Sequence, residues 1–369
     1  MRKKLIALLL TIAMMAVAGP LEAFATVEGD ASAADNEQVI TLEEEATTET
    51  PETMAAVKNF KALSGNKVVL LKWKKYEGDF DHYLIQRKLV KKYDMKKGKY
   101  IKYTDSKWKT VKNGSKVKAS ATQLKNKVAV DTTYKYRIYA VAVAADGTES
   151  KSEAATVNGE AVKTMYYKLT FKAGVTLTSH SGGSYKTTFK KGQTIIANGF
   201  DNGKYVFEWK CKDGKTRIYN AMKIRMKKAS VTHLDNSRTY SKAEAELYVN
   251  SKGITSGTKY MIWVNLYSQK LYVFKGTKNK WKLVKGPWTV STGRATMPTT
   301  SGKTAFRRKL SSQHGIPMWN VCDRFSIHGQ QSWWKIDGVP RSGACVRNTN
   351  AHAKWIYNNC ALRTGVYVY

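Results

Sequence analysis

"YMIWVNLYSQKLYVFKG", residues 260–276, is an almost unbroken apolar and aromatic run, interrupted by the polar pair Ser268-Gln269. β-branched and aromatic content on both sides of one polar break predicts two strands around a turn rather than a helix. Downstream, WKLVKGPWTVSTG (281–293) reads as another strand pair. The end of the chain, TNAHAKWIYNNCALRTGVYVY, predicts a short helix with Trp355 and Ile356 on one side, then a closing strand from Val366 to Tyr369. The last 110 or so residues therefore read as mostly strand with one helix.

Working upstream, YSKAEAELYVNSKG (240–253) has the signals of a capped helix: Ser241 as N-cap, Glu244 three residues on, and Gly253 as terminator. From Tyr166 to about Ala229, short strands such as KYVFEWKCKDGKTRIY are separated by glycines, which suggests a small SH3-like β-barrel. Between Val57 and Lys163, KVVLLKWKK (67–75), HYLIQRKLV (82–90) and TYKYRIYAVAVA (133–144) read as strands, and ADGTES (145–150) as a turn. Such a stretch makes a β-sandwich. Trp73 early, Tyr134 and Tyr136 late, and "YKYRIYAVA" followed by "DGTESKSE" resemble the fibronectin type III pattern. Residues 91–116 read as a long basic hairpin or loop insertion. The expected fold class is mostly β and multidomain. It comprises a fibronectin type III-like β-sandwich over 57–163, an SH3-like module over 166–229, a linker with a helix over 230–258, and a β-rich domain over 259–369.

The first 25 residues combine Arg2, Lys3 and Lys4, an apolar run from Leu5 to Gly19, and a small-x-small site at Ala23-Phe24-Ala25. That is the pattern of a secretory signal peptide cleaved after Ala25, leaving no stable membrane span. Residues 26–56 are acidic, without Lys, Arg or aromatic side chains, and read as a disordered leader. The whole chain carries 63 Lys and Arg against 28 Asp and Glu, a net charge of +35, so the basic charge belongs to the folded part. Anionic surroundings are implied, and solubility or retention at a negative surface accounts for the charge as well as a specific basic site does. Export and the lack of a recognition-helix, zinc-finger or RNA-binding signature argue against nucleic acid. Anionic cell-wall polymers are the expected counterpart of a protein secreted to the wall. No metal or cofactor is called for.

Four cysteines remain: Cys211, Cys322, Cys345 and Cys360. The chain is too large and too cysteine-poor to need disulfide staples, and no Cys322–Cys360 bridge is expected. Each cysteine is a buried filler or a nucleophile, and a nucleophilic thiol needs a base or a positive field. His328, in FSIHGQ, ends a strand-like run just before Gly329. The intervening QQSWWKIDGVPRSG reads as a loop that returns Cys345 to the same sheet edge. His314 stands in a loop without such a partner, and His352 and Cys360 lie more than two helical turns apart. Cys322 reads as core.

His328-Gly329 followed by Ser342-Gly343-Ala344-Cys345-Val346-Arg347-Asn348 closely resembles the signature of the bacterial L,D-transpeptidases. "VSTGRATMPTTSGKTAF" (290–306) and the run from Ile262 through Gln269 to Phe274 strengthen the resemblance, which covers roughly Tyr260 to Tyr369. It implies a cysteine-dependent acyltransferase acting on peptidoglycan stem peptides: Cys345 attacks the carbonyl before a terminal D-alanine, and an acceptor amine resolves the thioester into a 3-3 crosslink. His328 is implied as general base. Cys345 and Ala344 supply amides for the oxyanion, and Arg347 is either a carboxylate-binding group or half of a scaffold salt bridge. Ser342 either orients His328 or merely shapes a turn, and Trp333 and Trp334 wall the cleft. The chain departs from the signature twice, with Gly343 where the family has a second histidine and Ala344 where it has glycine. The first departure keeps open a different reading, a catalytically impaired basic wall-binding or adhesive protein.

Overall fold

The computed structural model describes residues 53–181 and 183–369. The expected signal peptide and nearly all of the acidic leader lie outside the described residues. Residues 52–369 cluster as one unit.

In the first part of that unit a three-stranded sheet (Lys61–Ser64, Val68–Lys72, Gln123–Lys127) faces a larger one built on Thr132–Val143 and His82–Asp94. Strand alternation explains the core between them. Tyr136, Ile138 and Ala140 are buried and pack with Val69, Leu71, Tyr83 and Ile85, while Lys135, Arg137 and Tyr139 take the other face. The basic segment after position 91 is a hairpin, His82–Asp94 paired with Lys99–Lys102, followed by short returning strands. The chain already joins this layer at Met54, whose carbonyl accepts from Glu153 N–H.

The middle module folds as three small antiparallel sheets around Phe171, Phe189, Phe207 and Tyr219. These rings belong to the same hydrophobic cluster as Ile262, Val264, Val290 and Phe306 of the last domain. The two modules therefore share a core.

The helix forms over Lys242–Ser251 as its caps predict. Ser241 and Glu244 make the reciprocal capping box, and Gly253 follows at φ +64°. Its role is larger than the expected connection. Tyr248 stacks on Trp263 at 4.5 Å, and Glu244 also accepts from Ser64 N–H at 3.2 Å, tying the helix to the first sandwich strand.

The last domain holds a five-stranded sheet in the order Lys282–Thr289, Lys270–Lys275, Tyr260–Asn265, Gly365–Val368, Gly302–Ala305. Ile262 and Val264 face the shared core, whereas Met261 and Trp263 face a second cluster beneath the helix. Both faces are covered, which is why the opening run shows no polar alternation. The segment 281–293 corrects the expected strand pair. Only Lys282–Thr289 is a strand of this sheet. The following residues leave it, bridging at Ser291 to Arg347 and at Gly293 to Ser342. A second sheet contains Arg308–Gln313, Ile316–Val321, Ser326–His328 and Val346–Arg347. The helix at the end spans Asn350–Asn359, capped by Thr349.

Candidate active site

His328 ends its strand, and the strand pairs in parallel with Val346–Arg347: Ile327 lies opposite Val346 and His328 opposite Arg347. Ile327 and Val346 are both fully buried in the core, so their flanking residues turn to the other face. Cys345 directly precedes this strand. It stands one strand spacing across from His328 and about two residues back, roughly 7–8 Å in backbone terms. The two residues proposed from sequence therefore meet at one sheet margin, although imidazole and thiol are not hydrogen-bonded to each other here.

The imidazole is held on three sides. Its Nδ1 lies 2.6 Å from the Gly329 carbonyl. A carbonyl only accepts, so Nδ1 carries the proton and Nε2 presents a lone pair. The ring stacks on Trp319 at 4.3 Å and 20°, with Trp334 at 6.0 Å. Burial, with the Arg347 charge adding to it, pushes its pKa down to about 4. It is neutral at physiological pH, the form a general base requires. Gly329 itself is crowded: a Cβ there would sit 2.3 Å from Asn350 Oδ1.

All four cysteines are free thiols. Burial pushes Cys322 well above the ordinary thiol range and Cys360 up to about 12, as inert core cysteines. Cys345 alone among them is only half-buried. Burial raises its pKa, while a hydrogen bond at the Ser326 backbone and the Arg347 charge act in the opposite direction. The resting pair is therefore thiol and neutral imidazole rather than an ion pair.

The turn carrying Cys345 is pinned by hydroxyls that take its carbonyls. Ser342 Oγ donates to the carbonyl of Cys345, and Thr299 Oγ1 to that of Ala344 at 2.6 Å. Thr299 in turn accepts from Gly293 N–H at 2.9 Å. Ser342 thus shapes the turn, and its hydroxyl does not orient His328. With those carbonyls engaged, the amides of Ala344 and Cys345 have no acceptor among the described residues, the arrangement an oxyanion site needs. Ala344 adopts φ +81°, in the left-handed region that favours glycine. Gly343 has an ordinary φ, and a Cβ there would meet only Met297 Cε at 3.8 Å and Sδ at 4.0 Å. The position opens onto space rather than being closed by another group.

Arg347 stacks over Trp334 at 3.7 Å, and its buried Nε has no partner. No carboxylate pairs with it among the described residues. Of its two sequence readings, the scaffold salt bridge is therefore not made. Trp333 is 73% exposed. The competing pair separates as expected: His352 stacks on Trp288 at 4.3 Å, and Cys360 is fully buried. Sequence reasoning missed Trp319 and Thr299, because a stacking ring and a pinning hydroxyl from distant strands leave no periodic or spacing signal.

Residues 259–368 match the family model of the YkuD L,D-transpeptidase catalytic domain. This part of the chain is similar to an L,D-transpeptidase catalytic domain. Solved structures similar to the chain include a fused Zn-dependent amidase/peptidase/peptidoglycan-binding domain-containing protein from Clostridium acetobutylicum. It is 25% identical over 35% of this chain and 59% of its own, with a TM-score of 0.30. An L,D-transpeptidase from Stackebrandtia nassauensis is 19% identical over 32% and 59%, with a TM-score of 0.27. One from Mycobacterium smegmatis is 10% identical over 45% and 77%, also with a TM-score of 0.27. The chain spans 59% of the length of the first two. Among curated proteins none matches. The L,D-transpeptidase assignment rests on the last domain, and the fibronectin-like resemblance of the first sandwich gains no support from these comparisons.

Proposed function

We propose that the protein is a secreted peptidoglycan L,D-transpeptidase that joins stem peptides by 3-3 crosslinks through a thioester on Cys345. The observation that carries the reading is the pairing in parallel of the strand that ends at His328 with the strand that Cys345 directly precedes, beside two amides without acceptors among the described residues. Cys345 Sγ attacks the carbonyl carbon before the terminal D-alanine of a donor stem as His328 Nε2 takes the thiol proton. The oxyanion is received by the amides of Ala344 and Cys345, a contribution of about 3 kcal/mol per donor in sites of this kind. Collapse breaks the C–N bond, and the imidazolium returns its proton to the leaving amine. An acceptor amine then attacks the thioester, giving a new amide and regenerating the thiol. Arg347, without a carboxylate of its own, supplies the fork for a substrate carboxylate. The signal-like first 25 residues and the +35 net charge support action in an anionic wall.

The competing reading, a wall-binding protein with an impaired site, draws on Gly343. Incubating the purified, reduced protein with a stem tetrapeptide and an acceptor stem decides between them. Released D-alanine and a crosslinked product, both lost in Cys345→Ala, support the enzyme. Wall binding without either product favours the competitor.

A further inference from the structure

The middle module carries an open cleft of about 540 Å³, within the range of ligand sites. Tyr205 forms an inner wall, and its hydroxyl donates to the Ala295 carbonyl, fastening the cleft to the last domain. Two apolar side chains stand at its lip in solvent, Met222 at 47% and Ile224 at 72% exposure. Lys172, Lys223, Lys227 and Lys228 also line it, and no acidic residue does. None of these lysines forms an ion pair among the described residues.

One end of the cleft is closed by Thr296, which belongs to the segment that holds the nucleophile turn. Arg294 Nε donates to Thr296 Oγ1 at 3.3 Å, and the Arg294 backbone N–H donates to the Ser342 carbonyl at 3.0 Å. Next to them Met297 borders Gly343. Burial chiefly, with the Arg294 charge adding to it, disfavours protonation of Arg347. Arg294 thus connects Thr296 of the cleft lining to the turn that carries Cys345.

We infer that this cleft is an extended substrate subsite, occupied by a carboxylate-bearing stem peptide of the same peptidoglycan strand that delivers the reacting stem to Cys345. The inference rests on the transpeptidase reading. The lysines receive the stem carboxylates, and Met222 and Ile224 cover apolar parts of the strand. The charge of this lining complements an anionic ligand rather than an uncharged or cationic one.

The test measures binding of a soluble glycan-strand fragment carrying two neighbouring tetrapeptide stems to the Cys345→Ala protein, which binds without turnover. Reversing two exposed charges, Lys223→Glu with Lys227→Glu, is expected to weaken binding roughly tenfold and flatten its salt dependence. Ile224→Ser supplies a second, charge-neutral variant, expected to weaken binding several-fold. The same fragment with its carboxylates amidated binds weakly to parent and variants alike. Lys125→Glu, on the three-stranded sheet of the sandwich, leaves binding unchanged. Parent-like binding by the double variant, or an equal loss in Lys125→Glu, overturns the inference. Acylation of the wild-type protein by a carbapenem reads the transpeptidase proposal separately. Its absence defeats that proposal, whereas intact acylation with unaltered fragment binding in the variants defeats only the cleft.

Discussion

Ala344→Gly is expected to stabilise the protein even though it deletes a methyl group beside the nucleophile. Ala344 sits at φ +81°, where the Cβ of an L-residue crowds the backbone. That conformation costs about 1–2 kcal/mol. Glycine removes the cost but adds freedom to the unfolded chain, about 0.5–1 kcal/mol in the other direction. The net gain is on the order of 0.5–1 kcal/mol. It appears as a higher urea midpoint at unchanged slope. Ala344→Val should move the midpoint the opposite way and further, because a β-branched side chain fits that region worse. The backbone is held there by hydroxyls from Ser342 and Thr299, so neither substitution can relax the turn by changing φ. A lower midpoint for Ala344→Gly, or equal midpoints for glycine and valine, would refute the claim that this turn stores strain.

His328→Ala should slow Cys345 acylation by at least about a hundredfold, the scale of a lost general base, while circular dichroism stays native; an unchanged rate removes His328 from the mechanism. His328 is held to about 4 by burial, below the unfolded value of 6.5. At this group the unfolded chain therefore binds more protons between those values. Its contribution is complete above pH 6.5 and is lost as pH falls towards 4, roughly 3 kcal/mol. The urea midpoint of the parent should fall further across that window than that of His328→Gln; parallel slopes would contradict the assignment. Thr299→Val keeps the side-chain shape but strips hydrogen bonds from the Ala344 carbonyl and the Gly293 amide. It should destabilise by about 1–3 kcal/mol, read by the same unfolding assay.

Much of the architecture was legible because local chemistry agreed with the final environment. The run from Tyr260 to Phe274 is apolar on both faces because both faces are buried. Ser241, Glu244 and Gly253 mark the helix ends where the hydrogen bonds require them. The site was legible as a pair, because His328 and Cys345 sit at a strand end and before a strand. What escaped depends on long-range partners. WTVSTG looks like a continuing hairpin, yet Ser291 and Gly293 find their bridges at Arg347 and Ser342 rather than in the preceding strand. Nothing in the sequence around Ser64 announces that its amide will complete the hydrogen bonding of Glu244 in a different module. Nor does the sequence around Trp319 reveal that its ring will cover His328. Such contacts are set by how whole sheets pack, and periodicity reports only which face a residue takes.

The central claim is that Cys345 is the nucleophile, and intact-protein mass spectrometry after exposure to a carbapenem tests it most directly. The account predicts a single covalent adduct on the reduced protein, mapped by digestion to the peptide containing Cys345 and absent from Cys345→Ala. No adduct, or one that persists in that variant on Cys211, Cys322 or Cys360, would contradict it.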